Sequence, residues 1–175
     1  MTVNQEQIEK VGLLLNNNER PLKERFRALF TLKNIGGEAS IDWISKAFSD
    51  DSALLKHEVA YCLGQLQDPY AIPILTSVLS DTSREPIVRH EAGEALAAIG
   101  GEEVEATLKK FSENDVVEVV ETCQLALDMI QFRKNSKKVS GNDFGSVDPA
   151  PPSQEDNVEN LKSTLMNTKL SLFER

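Results

Sequence analysis

The sequence predicts an all-α fold, a short α-solenoid of four stacked helical hairpins. Apolar residues recur with helical periodicity as far as about residue 130, and the alternation typical of a half-buried strand is absent. Similar segments also begin at residues 25, 56, 89 and 120, at intervals of 31, 33 and 31 residues. Intervals of this length are typical of helical-hairpin repeats, which stack on their neighbours and bury a continuous core.

Helix-starting and helix-ending residues delimit the hairpins. Pro21, Pro86 and the pair Asp68-Pro69 favour helix starts, and the glycine pairs at 36–37 and 100–101 favour helix ends. The predicted helices cover residues 5–15, 22–34, 39–48, 53–66, 68–79, 86–99, 103–111 and 116–130.

The composition limits the possible partners. The net charge of −9 argues against binding to the phosphate backbone of nucleic acids and favours a cationic ligand or a basic partner. No apolar run approaches the ~20 residues of a membrane span, and the N-terminus lacks the pattern of a signal peptide. Cys62 and Cys123 lie inside helical patterns and are predicted to be buried thiols in a reducing compartment.

The helical pattern predicts three regions. Residues 4–132 form the repeat domain, and residues 133–156, rich in Ser, Gly, Asn, Asp and Pro, are predicted to be a flexible linker. Residues 157–175 resemble the N-terminus, with six identities at an offset of 150 between residues 9–25 and 159–175. We therefore expect a partial fifth repeat, the start of a second copy of the solenoid.

The only two histidines occupy equivalent repeat positions. They occur in Lys56-His57-Glu58 and Arg89-His90-Glu91, and each tripeptide opens an apolar helical run. Their separation of 33 residues is one repeat. Imidazole and carboxylate groups together are ligands for iron, zinc or manganese. The pattern therefore indicates a scaffold that places two His-Glu pairs side by side.

Helical geometry predicts where these pairs face. At 100° per residue, each histidine falls about 160° and each glutamate about 100° from the core stripe of its helix. All four side chains are thus expected on the open, groove-facing side. Neighbouring helix axes lie about 8–10 Å apart, so two imidazoles can converge on one ion. The small residues Gly64 and Ala97 lie below them and are expected to leave room for a ligand.

Three interpretations of the His-Glu pairs remain open from the residues. They could be solvated dipeptides of a degenerate repeat, or the glutamates could simply complement the helix dipole. Metal ligation is favoured because both histidines share one register and both precede glutamate. The outer repeats carry Phe26-Arg27 and Glu121-Thr122 at this register and are expected to be structural flanks that bind no metal.

Four segments resemble the deoxyhypusine hydroxylase family: residues 25–32, 54–65, 88–96 and 146–152. The resemblance covers essentially the whole chain, and its doubled His-Glu pattern is specific. It implies HEAT-like repeats and a cytoplasmic di-iron monooxygenase. Such an enzyme uses dioxygen to hydroxylate the deoxyhypusine side chain of a translation initiation factor to hypusine.

The resemblance also implies a ligand set. His57, Glu58, His90 and Glu91 match the first-half metal positions of the family, whose other ligands come from a second half. We therefore expect a half-site and little hydroxylase activity from this chain alone. A second polypeptide carrying further repeats, or a twofold dimer, could complete the site. The alternative function is a non-catalytic repeat scaffold for a protein partner, or an inactive short form.

Overall fold

The structure is a computed structural model that describes residues 4–113, 115–135, 147–151 and 153–175. The described residues confirm the all-α prediction and form nine α-helices: α1 (Gln5–Leu15), α2 (Leu22–Ile35), α3 (Glu38–Lys46), α4 (Ala53–Leu66), α5 (Ile72–Ser80), α6 (Pro86–Ile99), α7 (Glu102–Phe111), α8 (Val117–Asn135) and α9 (Val158–Met166). None of these helices is long and apolar enough to cross a bilayer.

Local capping explains why most helix ends fall where the sequence predicts them. The Asn4 side chain caps α1 and forms a capping box with Gln7, and the Ser52 hydroxyl caps α4. Gly100 ends α6 with a φ of 79°, a backbone conformation that glycine adopts without strain. The predicted third helix is shorter than expected because a 3-10 turn forms at Ala47–Ser49.

The first eight helices form four hairpins, and the second helices of these hairpins pack side by side. Leu32, Leu63 and Leu96 occupy equivalent positions on α2, α4 and α6, and all three are fully buried. Cys62 and Cys123 are also buried, and burial raises the pKa of each thiol to about 12. Their prediction as buried thiols is therefore confirmed.

The cation that precedes each histidine forms hydrogen bonds that link neighbouring repeats. Arg89 is buried, its Nε donates to the carbonyl of Leu79 at 2.8 Å, and its guanidinium forms two hydrogen bonds with Asp115. Arg25 makes the equivalent contacts two repeats earlier, with the carbonyl of Leu15 and the carboxylate of Asp50. Lys56 instead donates to Glu85, which directly precedes the second helix of the next hairpin. The two arginines thus tie their helices to the first helix of the same hairpin and to the next hairpin, and Lys56 links its helix to the next hairpin.

A close approach between α4 and α6 depends on Gly64. A Cβ atom added there would lie 2.6 Å from the Cα atom of Ala95, too close for any real contact. Gly64 therefore has a packing role in addition to the one expected from the sequence. Without a side chain at Gly64, the two helices can pack nearly backbone to backbone.

The C-terminal part departs from the prediction in two places. α8 continues to Asn135, three residues into the predicted linker. Its last turn is supported by Arg133, whose side chain donates to the carbonyl of Ala97 at 3.1 Å. Much of the predicted linker, residues 136–146 and 152, lies outside the described residues. Val147 does not lie free of the repeat domain, since it is hydrogen-bonded to Gln65.

The partial fifth repeat predicted for residues 157–175 contains α9, which begins after an Asn157 cap. No residue of α9 is buried. The segment after it contacts the repeat domain, where the rings of Phe132 and Phe173 lie 6.1 Å apart.

Candidate metal centre

Two neighbouring helices bring three of the predicted ligands together. His57 is the fifth residue of α4, and His90 is the fifth residue of α6. One ligand atom from each of His57, His90 and Glu91 can be chosen so that all three lie within 4.8 Å of one another. The His57 Nε2 atom is 3.1 Å from Glu91 Oε2, and the two imidazole centroids are 6.5 Å apart. Residues at equivalent repeat positions thus lie close together in the fold.

Of the three converging residues, only Glu91 differs from the expected burial. His57 and His90 are half-buried and outside the core, as expected. Glu91 is buried, with only 8% of its side chain exposed, rather than lying on the open groove. Burial raises the pKa of Glu91 to about 8, and the nearby charges of Glu94 and Glu58 add to this effect. A bound cation would offset this concentration of negative charge.

Glu58 occupies a different place from the other three predicted ligands. Its Oε1 atom lies 3.4 Å from His57 Nδ1, on the opposite ring nitrogen from the one that faces Glu91. It is outside the group of three whose ligand atoms converge. The role of Glu58 as a metal ligand therefore stays a prediction.

Two further side chains contact His90 and were missed in the sequence. The Glu94 Oε1 atom lies 3.6 Å from His90 Nε2, one helical turn along α6. This i, i+4 spacing was a signal that the sequence offered. The Thr122 hydroxyl contacts His90 Nδ1 from α8. The fourth repeat is thus more than a flank, although its lack of a His-Glu pair gave no such indication.

A cavity of about 120 Å³ adjoins the group and is lined by Glu91 and Glu94 together with small apolar residues. Both Gly64 and Ala97 line this cavity, so the expected opening beside them is present. Residues 147–149 contribute one of its walls. Gln65 holds this segment through two hydrogen bonds, accepting from the Val147 amide at 2.9 Å and donating to the Val147 carbonyl at 3.0 Å.

The donor set fits a metal ion. Two imidazoles and one carboxylate are the ligand set of non-haem Fe(II) oxygenases, and they also suit other divalent metals. Two ligands of one ion at the usual bond lengths of about 2.0–2.2 Å lie at most about 4.4 Å apart, so ligand atoms within 4.8 Å of one another need only a small side-chain adjustment to share an ion. In addition, the His57 Nδ1 atom is buried without a hydrogen-bond partner among the described residues.

The fold and the repeat pattern place the chain in a known class. A family model described as HEAT repeats matches residues 9–87 and 41–128. The chain therefore belongs to the HEAT-repeat family.

Its relatives within that class are deoxyhypusine hydroxylases. The chain is 58% identical over 175 residues to deoxyhypusine hydroxylase of Drosophila melanogaster, and 51% identical over 174 residues to that of Homo sapiens. Each match covers 99% of this chain and 58% of the relative. The solved structure of human deoxyhypusine hydroxylase in complex with glycerol superposes with a TM-score of 0.93 at 51% identity, over 98% of this chain and 60% of that one. The resemblance predicted from the sequence is thus confirmed.

Proposed function

We propose that this chain provides one half of an iron-dependent deoxyhypusine hydroxylase. It would act on the deoxyhypusine side chain of a translation initiation factor and yield hypusine. The observation that carries this proposal is the convergence of His57, His90 and Glu91 across the α4–α6 interface. The similarity to named deoxyhypusine hydroxylases over 99% of the chain supports the same reaction.

Iron is the proposed metal because the two-histidine, one-carboxylate set leaves coordination positions open, as oxygen-activating Fe(II) sites require. When bound, iron would supply the activation of dioxygen that amino-acid side chains cannot perform. The residues of this chain would hold the ion and shape its surroundings. His57 and His90 would each offer a neutral imidazole nitrogen, and Glu91 would offer a buried carboxylate.

The charge and shape of the neighbouring cavity suit a cationic, slender substrate. Among the described residues, three carboxyl groups line the cavity, those of Glu91, Glu94 and Asp148, against the one guanidinium of Arg133, and the small residues of α4 and α6 leave room for a slender chain. A substrate side chain that carries amino groups would be attracted there, while a bulky or anionic one would not. The same acidic character of the whole chain, with a net charge of −9, favours a basic protein partner.

The ligand count suggests that this chain does not act alone. Three converging ligands suit one metal ion, whereas a di-iron centre needs ligands for two. The chain spans about 58% of the length of the relatives that it matches. We propose that the remaining ligands come from further HEAT repeats, on the same or another polypeptide, or from a second copy of this chain related by a twofold axis.

The test is a reconstitution in three arms. Iron-loaded chain is incubated in air with the deoxyhypusine form of the initiation factor: alone, with added repeats corresponding to the rest of a longer relative, and with those repeats after His90→Ala in this chain. Intact mass spectrometry then measures the gain of about 16 Da expected for one oxygen atom. We expect turnover only in the second arm.

Full turnover in the first arm by a monomer, verified by sedimentation, would contradict the half-site proposal. Turnover in none of the arms, with iron bound stoichiometrically, would contradict the proposed reaction. A HEAT scaffold without catalytic function would bind no iron at all, so elemental analysis separates that alternative from both outcomes.

A further inference from the structure

Thr122 reaches the metal centre from the fourth hairpin. It lies on α8, 31 residues after Glu91 and at the equivalent repeat position, where a neutral hydroxyl replaces a carboxylate. The side chain is buried, and its Oγ1 atom contacts His90 Nδ1. The fourth hairpin thus contributes a polar group to a site otherwise built from α4 and α6.

Packing fixes the direction of this hydroxyl. A Cβ atom added at Gly93 would lie 3.2 Å from the Thr122 Cγ2 atom, so the methyl group faces the surface of α6 at close range. A β-branched side chain in a helix has few available χ1 rotamers. With the methyl group held against α6, the hydroxyl has little freedom to turn away from His90.

The contact has a chemical consequence for the imidazole. A neutral histidine carries its proton on one ring nitrogen and can ligate a metal only through the other. If Nδ1 accepted a hydrogen bond from the Thr122 hydroxyl, the ring proton would be on Nε2, and Nε2 could not bind an ion. The metal-competent arrangement is therefore Nδ1–H donating to Thr122 Oγ1, with the Nε2 lone pair available.

We propose that Thr122 is a positioning residue for the metal centre, which holds His90 in the Nδ1–H tautomer and aims its Nε2 atom at the ion. The inference rests on the proposed metal site but not on the identity of the reaction. Metal-binding histidines generally donate their second nitrogen to a neighbouring acceptor, and loss of that acceptor costs about 10–100-fold in metal affinity. Thr122 supplies the acceptor from a different hairpin.

The experiment compares Thr122→Val, which keeps the shape of the side chain, with Thr122→Ser, which keeps the hydroxyl. Thr107→Val is the matched control, since Thr107 is half-buried on α7 and donates to its own helix at Glu103. The first readout is the tautomer of His90 in the metal-free chain, from the ¹⁵N shifts of both ring nitrogens. The second is the affinity for Co²⁺, used as a spectroscopic stand-in for Fe²⁺, by chelator competition.

We expect the unsubstituted chain, Thr122→Ser and Thr107→Val to share the Nδ1–H tautomer and a similar Co²⁺ affinity. Thr122→Val should show a mixed tautomer population and an affinity about 10–100-fold weaker. Thr122→Ala gives the same comparison if the valine variant does not fold, as judged by circular dichroism.

Two results would overturn the inference: an unchanged His90 tautomer in Thr122→Val, or unchanged Co²⁺ affinity in a folded variant. A merely structural hydrogen bond would lower the melting temperature but leave both readouts intact. If the unsubstituted chain binds no Co²⁺ or Fe²⁺, the proposed function fails. The tautomer measurement still decides the role of Thr122 in that case, because it needs no metal.

Discussion

His57 Nε2 and Glu91 Oε2 lie 3.1 Å apart, although they belong to different hairpins. Neither residue could form this contact within its own repeat, because each helix presents only its own His-Glu pair. The contact exists because α4 and α6 pack directly against each other. The metal centre is therefore a property of the stack rather than of a single repeat.

Replacing His57 or His90 with alanine should abolish stoichiometric iron binding while leaving the far-UV circular dichroism spectrum nearly unchanged. Both imidazoles are half-buried and neither belongs to the apolar core. Elemental analysis of the purified variants measures the bound iron. Glu121→Ala, at the same register of the fourth repeat but exposed, is the control and should retain iron. Full iron content in both histidine variants would refute the ligand assignment.

Replacing Asp115 with asparagine should destabilise the fold by about 1.5–3 kcal/mol at neutral pH, the range for a hydrogen bond to a charged group. The Arg89 guanidinium holds the pKa of Asp115 below its ordinary value of 3.8. Since the folded pKa is depressed, the stabilisation is present above about pH 4 and is lost as the pH falls through the folded pKa. The difference in melting temperature between the two proteins should therefore shrink in acid.

Thermal unfolding from pH 7 to pH 3 provides this measurement. The control is Asp51→Asn, which removes an exposed carboxylate and should change the melting temperature little at any pH. A stability difference for Asp115→Asn that stays constant down to pH 3 would show that the Arg89 contact does not set the pKa of this carboxyl.

Gln65→Ala should accelerate hydrogen exchange at the Val147 amide, because the Gln65 Oε1 atom accepts from that amide at 2.9 Å. The substitution removes both hydrogen bonds that join residue 147 to α4. Exchange mass spectrometry of the peptide that contains Val147 gives the measurement. Gln124→Ala, which removes a side-chain bond to the carbonyl of Ser112, should leave this peptide unaffected. Equal exchange rates of the Val147 peptide in both variants would argue against the two hydrogen bonds between Gln65 and Val147.

Gly64→Ala should destabilise the protein by about 1–3 kcal/mol, the usual cost of forcing extra atoms into a packed interface. The added Cβ would meet the backbone of Ala95 at 2.6 Å, and backbone cannot move aside as a side chain can. Gly93→Ala is the matched control, since its added Cβ would meet only side-chain atoms, the nearest at 3.2 Å. Urea denaturation of both variants tests the difference, and a Gly64→Ala protein at least as stable as Gly93→Ala would contradict it.

The sequence was sufficient for the helices because their ends are set locally. Asn4, Ser52 and Gly100 act on backbone groups within their own turns, so their effect can be recognised without knowledge of the fold. The end of α8 was not predictable in this way. Its last turn is supported by Arg133 donating to carbonyls at the end of α6, a contact that spans more than 30 residues.

The same distinction applies to the metal centre. Repeat register brought His57, His90 and Glu91 to the right place because stacking converts a fixed sequence interval into contact. Thr122 carries no ligand chemistry that would single it out, and its contact with His90 depends on how α8 crosses α6. The pairing of Gln65 with Val147, 82 residues apart, had no signal in the sequence.

The hydrogen bonds of Arg89 with Leu79 and Asp115 affect how a metal could be bound at the candidate metal centre. His90 directly follows a residue that is fixed to Leu79 of the same hairpin and to Asp115 of the next one, so its backbone is held in place by two hairpins. In small zinc modules, by contrast, the ion itself drives folding, and a chelator unfolds the protein. Here contacts within the polypeptide fix the position of the proposed ligands, so a bound ion would be able to exchange while the helices stay formed. Loading, loss and replacement of the proposed metal would then be reversible.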